Sequence, residues 1–202
     1  MKQEHALKMA VMALALAVAA CSSTQAPPPQ YYELRLATPE AATVAVPASD
    51  GNVWQLMAPV KLPEHLERDV IWLPVGTSGL QPLPGHRWAE PLDAAVPRIL
   101  LHDLAQLRGT GGMWSGTLPS NLAVSTQLRV QILELSVAED GRSVRLSARC
   151  ALTSAGVGTP GPPRVFDIQL TAPSRGSDPD ALVAAHRLAL WRLAQEIVRK
   201  AT

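Results

Sequence analysis

Gln127-Leu128-Arg129-Val130-Gln131-Ile132-Leu133-Glu134-Leu135-Ser136-Val137-Ala138 leads through Glu139-Asp140-Gly141-Arg142 into Ser143-Val144-Arg145-Leu146-Ser147-Ala148-Arg149-Cys150-Ala151-Leu152. The second run alternates cleanly. Val144, Leu146, Ala148, Cys150 and Leu152 share one face, while Arg145, Ser147 and Arg149 share the other. A period of two is that of a half-buried β-strand. The first run alternates as well, but its phase slips: Leu128, Val130 and Ile132 are followed by Leu133, Leu135 and Val137. Two adjacent apolar residues at the slip predict a β-bulge, which keeps both halves of the strand on one core. Between the runs, Gly141 supplies the positive φ of a tight hairpin turn. A Gly/Pro loop, Thr153 to Pro163, then leads to a third strand over Arg164 to Thr171, with Phe166, Ile168 and Leu170 inward. Three consecutive antiparallel strands make a meander.

Helical patterns flank this meander. From Asp93 to Leu107 the apolar residues Leu92, Val96, Ile99, Leu100, Leu104 and Leu107 form one stripe. Asp93 suits the N-cap, Pro97 sits just past the first turn and Gly109 ends the helix. Thr110 to Asn121 is loose. Asp178 to Lys200 forms the last helix, with Asp178 as cap and Pro179 at the first helical position. Leu182, Ala189, Leu190, Leu193 and Ile197 give its main apolar face. Upstream, Tyr31 to Leu36, Val53 to Val60 and Val70 to Val75 read as strands. Pro39 to Asn52 reads as loop, and Gly76 to Gly85 as a turn-rich loop. Helices set apart from an antiparallel sheet predict an α+β fold: two layers, with two main helices packed on the sheet.

The first thirty residues have a different character. Lys2 and Lys8 precede an uncharged apolar run, Met9 to Ala20. A bilayer span needs about 20 residues, so this run is too short to cross one and reads as the core of a signal peptide. It ends Val18-Ala19-Ala20-Cys21, small residues before a cysteine, as a lipoprotein signal peptidase requires. Residues 1–20 are therefore expected to be removed and Cys21 to carry lipid, with acyl chains such as palmitate. Each buried methylene adds ~0.8 kcal/mol to such an anchor. Cys21 to Gln30, with three successive prolines, forms a tether of at most about 35 Å. Residues 31–202 are then one folded domain held close to a membrane. Ser22 is not the aspartate that signals inner-membrane retention, which favours the outer membrane and its periplasmic face. Losing Lys2, Lys8 and Glu4 from 18 basic and 17 acidic residues leaves 16 of each. A neutral chain without a basic stripe is a poor partner for nucleic acid.

Catalytic patterns are missing from the sequence. His65, His86, His102 and His186 lack the close spacing of a metal pair, so neither metal nor other cofactor is expected. His186, on the apolar face of the last helix, reads as a hydrogen-bonded core residue. Cys150 is the one thiol left over, and on an inward strand face it should be inert. There is no Gly-x-Ser-x-Gly elbow, and Gly109-Thr110-Gly111-Gly112 lacks the ending of a phosphate loop. Glu64, Glu67 and Asp69 read as a solvated turn. Trp54, Trp72, Trp88, Trp114 and Trp191 stand out against one Phe and two Tyr. Trp88 belongs in the core. Trp114, in a glycine-rich loop, is either a lid over the core, the reading placed ahead, or an exposed contact. On the last helix, Trp191 and Val198 fall nearly opposite the main apolar face, with Leu188 at their flank and Arg187, Gln195 and Arg199 around them. Two readings stand equal: Trp191 packs under a loop, or it anchors an interface with a second copy or a partner.

Taken in order, several segments resemble a known family. They are the Val18-Ala19-Ala20-Cys21 lipobox, Tyr31-Tyr32-Glu33-Leu34, Val60-Lys61-Leu62-Pro63-Glu64-His65-Leu66, Arg87-Trp88-Ala89-Glu90-Pro91-Leu92 and Ala184-Ala185-His186. The set is similar to the PqiC/YmbA family of auxiliary lipoproteins of ABC-type and MCE transport systems. After Asp69 the pattern departs, with Ile71-Trp72-Leu73-Pro74-Val75 and a proline-rich loop. The resemblance implies a non-enzymatic adaptor on the outer-membrane side of an envelope-spanning machine. Its partners would be an MCE-domain protein and inner-membrane transport components, and its cargo lipids or other hydrophobic molecules. The alternative is an envelope-assembly lipoprotein acting on cell wall or outer-membrane proteins.

Overall fold

A computed structural model of the chain describes residues 27–39, 51–109, 111–155 and 161–201. Its strands are β1 (Gln30–Tyr32), β2 (Val53–Leu56), β3 (Val70–Val75), β4 (Gly79–Trp88), β5 (Met113–Ser115), β6 (Val124–Val137), β7 (Ser143–Ser154) and β8 (Arg164–Pro173). Two helices, α1 (Leu92–Arg108) and α2 (Pro179–Ala201), complete an α+β fold, with a short 3-10 turn at Glu64–Glu67.

The β6–β7–β8 meander forms as its alternation predicts. Leu128, Val130, Ile132, Leu135 and Val137 are buried, as are Val144, Leu146, Ala148, Cys150 and Leu152. The register shifts between Ile132 and Glu134, which leaves Leu133 as the exposed extra residue of the bulge. At the turn, Gly141 has φ 64° and its N–H donates to the Ala138 carbonyl at 2.9 Å.

The sheet differs from the single antiparallel one predicted. There are two mixed sheets, ordered β1-β4-β3 and β5-β2-β6-β7-β8. β2 lies parallel to both β5 and β6, and β1 parallel to β4. Alternation within a strand reports burial but carries no information about the direction of its neighbour, and short strands such as β1 and β5 carry little periodicity. Three boundaries also change. Strand structure at Val53 stops at Leu56, and the strand begun at Tyr31 is confined to Gln30–Tyr32. Gly79–Trp88 is a strand rather than a loop, pairing with β3 despite Pro82 and Pro84. These prolines are tolerated because β1 pairs only with His86 to Trp88, so at Pro82 and Pro84 the middle strand β4 has β3 on one side and no described strand on the other.

Both helices and both sheets share one buried cluster, from Leu34 through Ile71, Trp88 and the α1 stripe to Ile197. α1 is capped at Pro91 rather than Asp93. At α2 the predicted cap forms: Asp178 Oδ1 accepts from the Ala181 N–H at 3.0 Å.

Candidate functional site

Cys21 and most of its tether lie outside the described residues. Among the described residues, a strap over 30–39 lies against α2. Tyr32 and Leu34 turn inward, Leu34 being fully buried. A cluster of polar contacts then fixes the strap. Arg187 on α2 donates from Nε to the Arg35 carbonyl at 2.7 Å and from Nη2 to the Leu36 carbonyl at 3.3 Å. The same guanidinium grips Asp103 of α1 with both carboxylate oxygens, at 2.7 and 2.6 Å. Arg98 of α1 reaches the Leu34 carbonyl and pairs with Glu90. One buried cation therefore joins the segment nearest the tether to both helices.

Asp103 is completely inaccessible to solvent. Burial pushes its carboxyl above the ordinary value, against the opposing pull of Arg187 and His102. The sequence reading missed this pair, although a signal exists. Asp103 interrupts the α1 stripe between Leu100 and Leu104, at a spacing where every neighbour on that face is apolar.

Two open grooves flank the strap, and Arg187 borders both. One, of about 660 Å³, lies between Ala37 to Pro39, Pro173 to Arg175 and the start of α2. Its α2 wall sets the small residues Ala181, Ala184 and Ala185, with Leu188, among the charged Asp180, Arg187 and Arg192. The other, of about 320 Å³, lies beside Tyr31 and Tyr32. No nucleophile paired with a base lines either groove.

The remaining sequence candidates are separated from one another. Trp191 is 1% exposed and belongs to the core, so as a surface anchor it is corrected. α2 packs on β7 and β8 and also on α1, and a helix covered from two directions is apolar on two faces. The Trp191 indole N–H has no hydrogen-bond partner among the described residues. Leu188 and Val198 are partly buried against the same core. Trp114 is not a lid: it sits in the edge strand β5, 36% exposed, with Nε1 donating to the Thr117 carbonyl at 3.0 Å.

Two titratable core groups are also settled. His186 is buried, bonded through Nδ1 to the Leu182 carbonyl at 2.8 Å and set edge-on to Trp88 at 5.4 Å. Burial drives its imidazole down to about 4, so it is neutral. Burial pushes the Cys150 thiol up to about 12. Among the described residues, no group of three or more His, Cys, Asp and Glu could hold a metal ion. None of the described helices is long and apolar enough to cross a membrane.

A family model described as "ABC-type transport auxiliary lipoprotein component" matches residues 32–198. The crystal structure of an uncharacterized protein superposes with a TM-score of 0.69 at 17% identity, over 87% of this chain and 100% of its own. Protein XCC0632 from Xanthomonas campestris, of the DUF330 family, does so with a TM-score of 0.59 at 17% identity, over 85% of this chain and 94% of its own. At such identities the likeness is one of fold. No functionally curated protein matches the sequence.

Proposed function

The chain belongs to the ABC-type transport auxiliary lipoprotein family, and we propose that it is the outer-membrane-anchored adaptor of an MCE/ABC-type system. Such a system would move lipids or other hydrophobic molecules between membranes. Lipid on Cys21 holds the folded domain, residues 31–202, on the periplasmic face through the 21–30 tether. An MCE-domain protein and inner-membrane components are its partners. The chain performs no catalysis.

The match across residues 32–198 carries this reading, because a transport auxiliary component is not a class of enzyme. The strap supports it mechanically. A subunit held by one lipidated end must pass any pull on that end into its core, and Arg187 joins the strap to α1 and α2.

The test uses the full-length chain in its native membranes. Labelled palmitate should enter the wild type and not Cys21→Ala. The protein should band with the outer membrane on a density gradient, and it should co-purify with an MCE-domain protein and an ABC permease or ATPase. Co-purification with cell-wall synthases or outer-membrane assembly factors in their place would establish the alternative, an envelope-assembly lipoprotein. Absence of acyl label would remove the anchor altogether.

A further inference from the structure

The arm formed by β3 and β4 has an unusual composition. From Ile71 to Gly85 there is no Asp, Glu, Lys, Arg or His. The residues there are Ile, Trp, Leu, Val, Pro, Gly, Thr, Ser and Gln, and the tip presents Val75 and Leu80, 47% and 46% exposed. Single exposed aliphatics are ordinary on a protein surface. A projecting hairpin with no charge at all from Ile71 to Gly85 is not, since exposed hairpins normally carry several; its turn, Gly76 to Gly79, is polar but uncharged. The arm is also anchored firmly at its root. Ile71 is buried, and Trp72 Nε1 donates to the His65 carbonyl at 2.8 Å. Charges resume at the root, where Arg87 pairs with Asp69 at 3.0 Å.

The tether emerges beside this root. β1 pairs in parallel with the C-terminal end of β4, Gln30 opposite His86 and Tyr31 opposite Arg87. Val70 also lies opposite Arg87, so Tyr31 and Val70 flank the same β4 residue. From Val70 to the tip at Val75 is five residues of strand, roughly 17 Å. From Tyr31 back to Cys21 is ten residues, at most about 35 Å. The chain upstream of β1 also leaves toward the N-terminal side of β4, the side from which the arm projects. A lipid on Cys21 therefore reaches the plane of the tip with the tether slack.

We propose that the β3–β4 arm is a membrane wedge whose tip, Val75 to Leu80, enters the same leaflet as the lipid on Cys21. This rests on the lipid anchor proposed above. Interfacial elements bury apolar residues roughly 5–10 Å into the headgroup and acyl boundary. Val75, Leu80, Pro74 and Pro82 lie within that depth, and the uncharged Thr77, Ser78 and Gln81 enter without a desolvated charge. Two attachment points of different kinds would fix the orientation of the domain, which a lipid on a flexible tether does not. The strap and its grooves would then face a set direction.

The experiment places a spin label at the tip of the lipidated full-length protein, in vesicles of phosphatidylethanolamine and phosphatidylglycerol. The label is attached at Thr77→Cys, with Asp140→Cys in the β6–β7 turn as the reference position. Cys150 is buried and does not compete for the reagent. Collision with oxygen, which concentrates in lipid, is compared with collision with a water-soluble nickel chelate. The expected result is a ratio severalfold higher at Thr77→Cys than at Asp140→Cys. Adding Val75→Asp and Leu80→Asp should return it to the reference value. Those side chains are exposed, so the fold survives. If the protein stays on the vesicles and the tip label remains in water, the wedge is wrong and the anchor stands. A tip label shielded from both reagents marks a protein contact and also overturns the wedge. Protein lost from the vesicles overturns the anchor and the wedge together.

Discussion

Replacing Arg187 should cost more than replacing Asp103, although the two form one ion pair. Asp103→Leu removes both carboxylate contacts and leaves a guanidinium that still holds the Arg35 and Leu36 carbonyls. The guanidinium also borders both grooves, from which water can reach it. Arg187→Leu strands a carboxyl with no solvent access and frees two strap carbonyls as well. Breaking a buried pair costs about 3–5 kcal/mol. Each lost hydrogen bond to the strap adds about 1 kcal/mol. The expected order is therefore Arg187→Leu beyond Asp103→Leu by about 1–2 kcal/mol. The double replacement should cost less than the sum, with a coupling of at least about 1 kcal/mol, since no orphaned charge remains. Urea unfolding followed by tryptophan fluorescence measures all three, provided the slope stays constant. Hydrogen exchange at residues 33–37 adds a local readout, and Arg187→Leu should accelerate it more than Asp103→Leu. Additive losses, or a costlier Asp103→Leu, would refute the idea that one guanidinium serves both the strap and α1.

Three further outcomes follow from the core. Unfolded His186 takes up a proton near 6.5 and the folded residue only near about 4, so the unfolded state holds the extra proton between those values. Stability should be full above pH 6.5 and fall on acidification toward 4, by up to roughly 3 kcal/mol; His186→Gln should lose this component, and parallel urea profiles for the two proteins would refute it. Cys150 should ignore a thiol reagent in the native state and react once urea unfolds the chain, because its thiol is buried and pushed up to about 12; rapid native labelling would contradict its inward phase. Trp191→Ala should destabilise the monomer by about 3–5 kcal/mol, while Trp191→Phe, which removes a buried N–H with no partner among the described residues, should cost far less; a folded Trp191→Ala monomer with weakened self-association would restore the surface reading.

What was legible in the sequence was whatever period alone determines. The bulge at Leu133, the inward face of β7, the turn at Gly141 and the cap at Asp178 each follow from a local rule, and each formed. Strand direction did not follow. β2 lies parallel to β5 and β6 because the chain leaves the sheet after Leu56 and returns only after α1, a fact written in no single segment. β4 was hidden because Gly79, Pro82, Pro84 and Gly85 are turn residues, accommodated where β4 pairs with β3 alone, beyond the reach of β1. Trp191 misled for a related reason. A helical wheel separates two faces but cannot tell a solvent-facing one from one turned toward a second helix, and α2 is covered by the sheet and by α1. Asp103 and Arg187 mark the opposite limit. Each charge looks misplaced on its own helix, and only the crossing of α1 over α2 makes them partners. By helical spacing Arg187 falls with Gln195 and Arg199 around Trp191, as a polar rim would. Once Trp191 is recognised as core, its neighbour Arg187 must be buried too, and a buried arginine requires an acid. The carboxylate interrupting the apolar stripe of α1 is the candidate that requirement singles out.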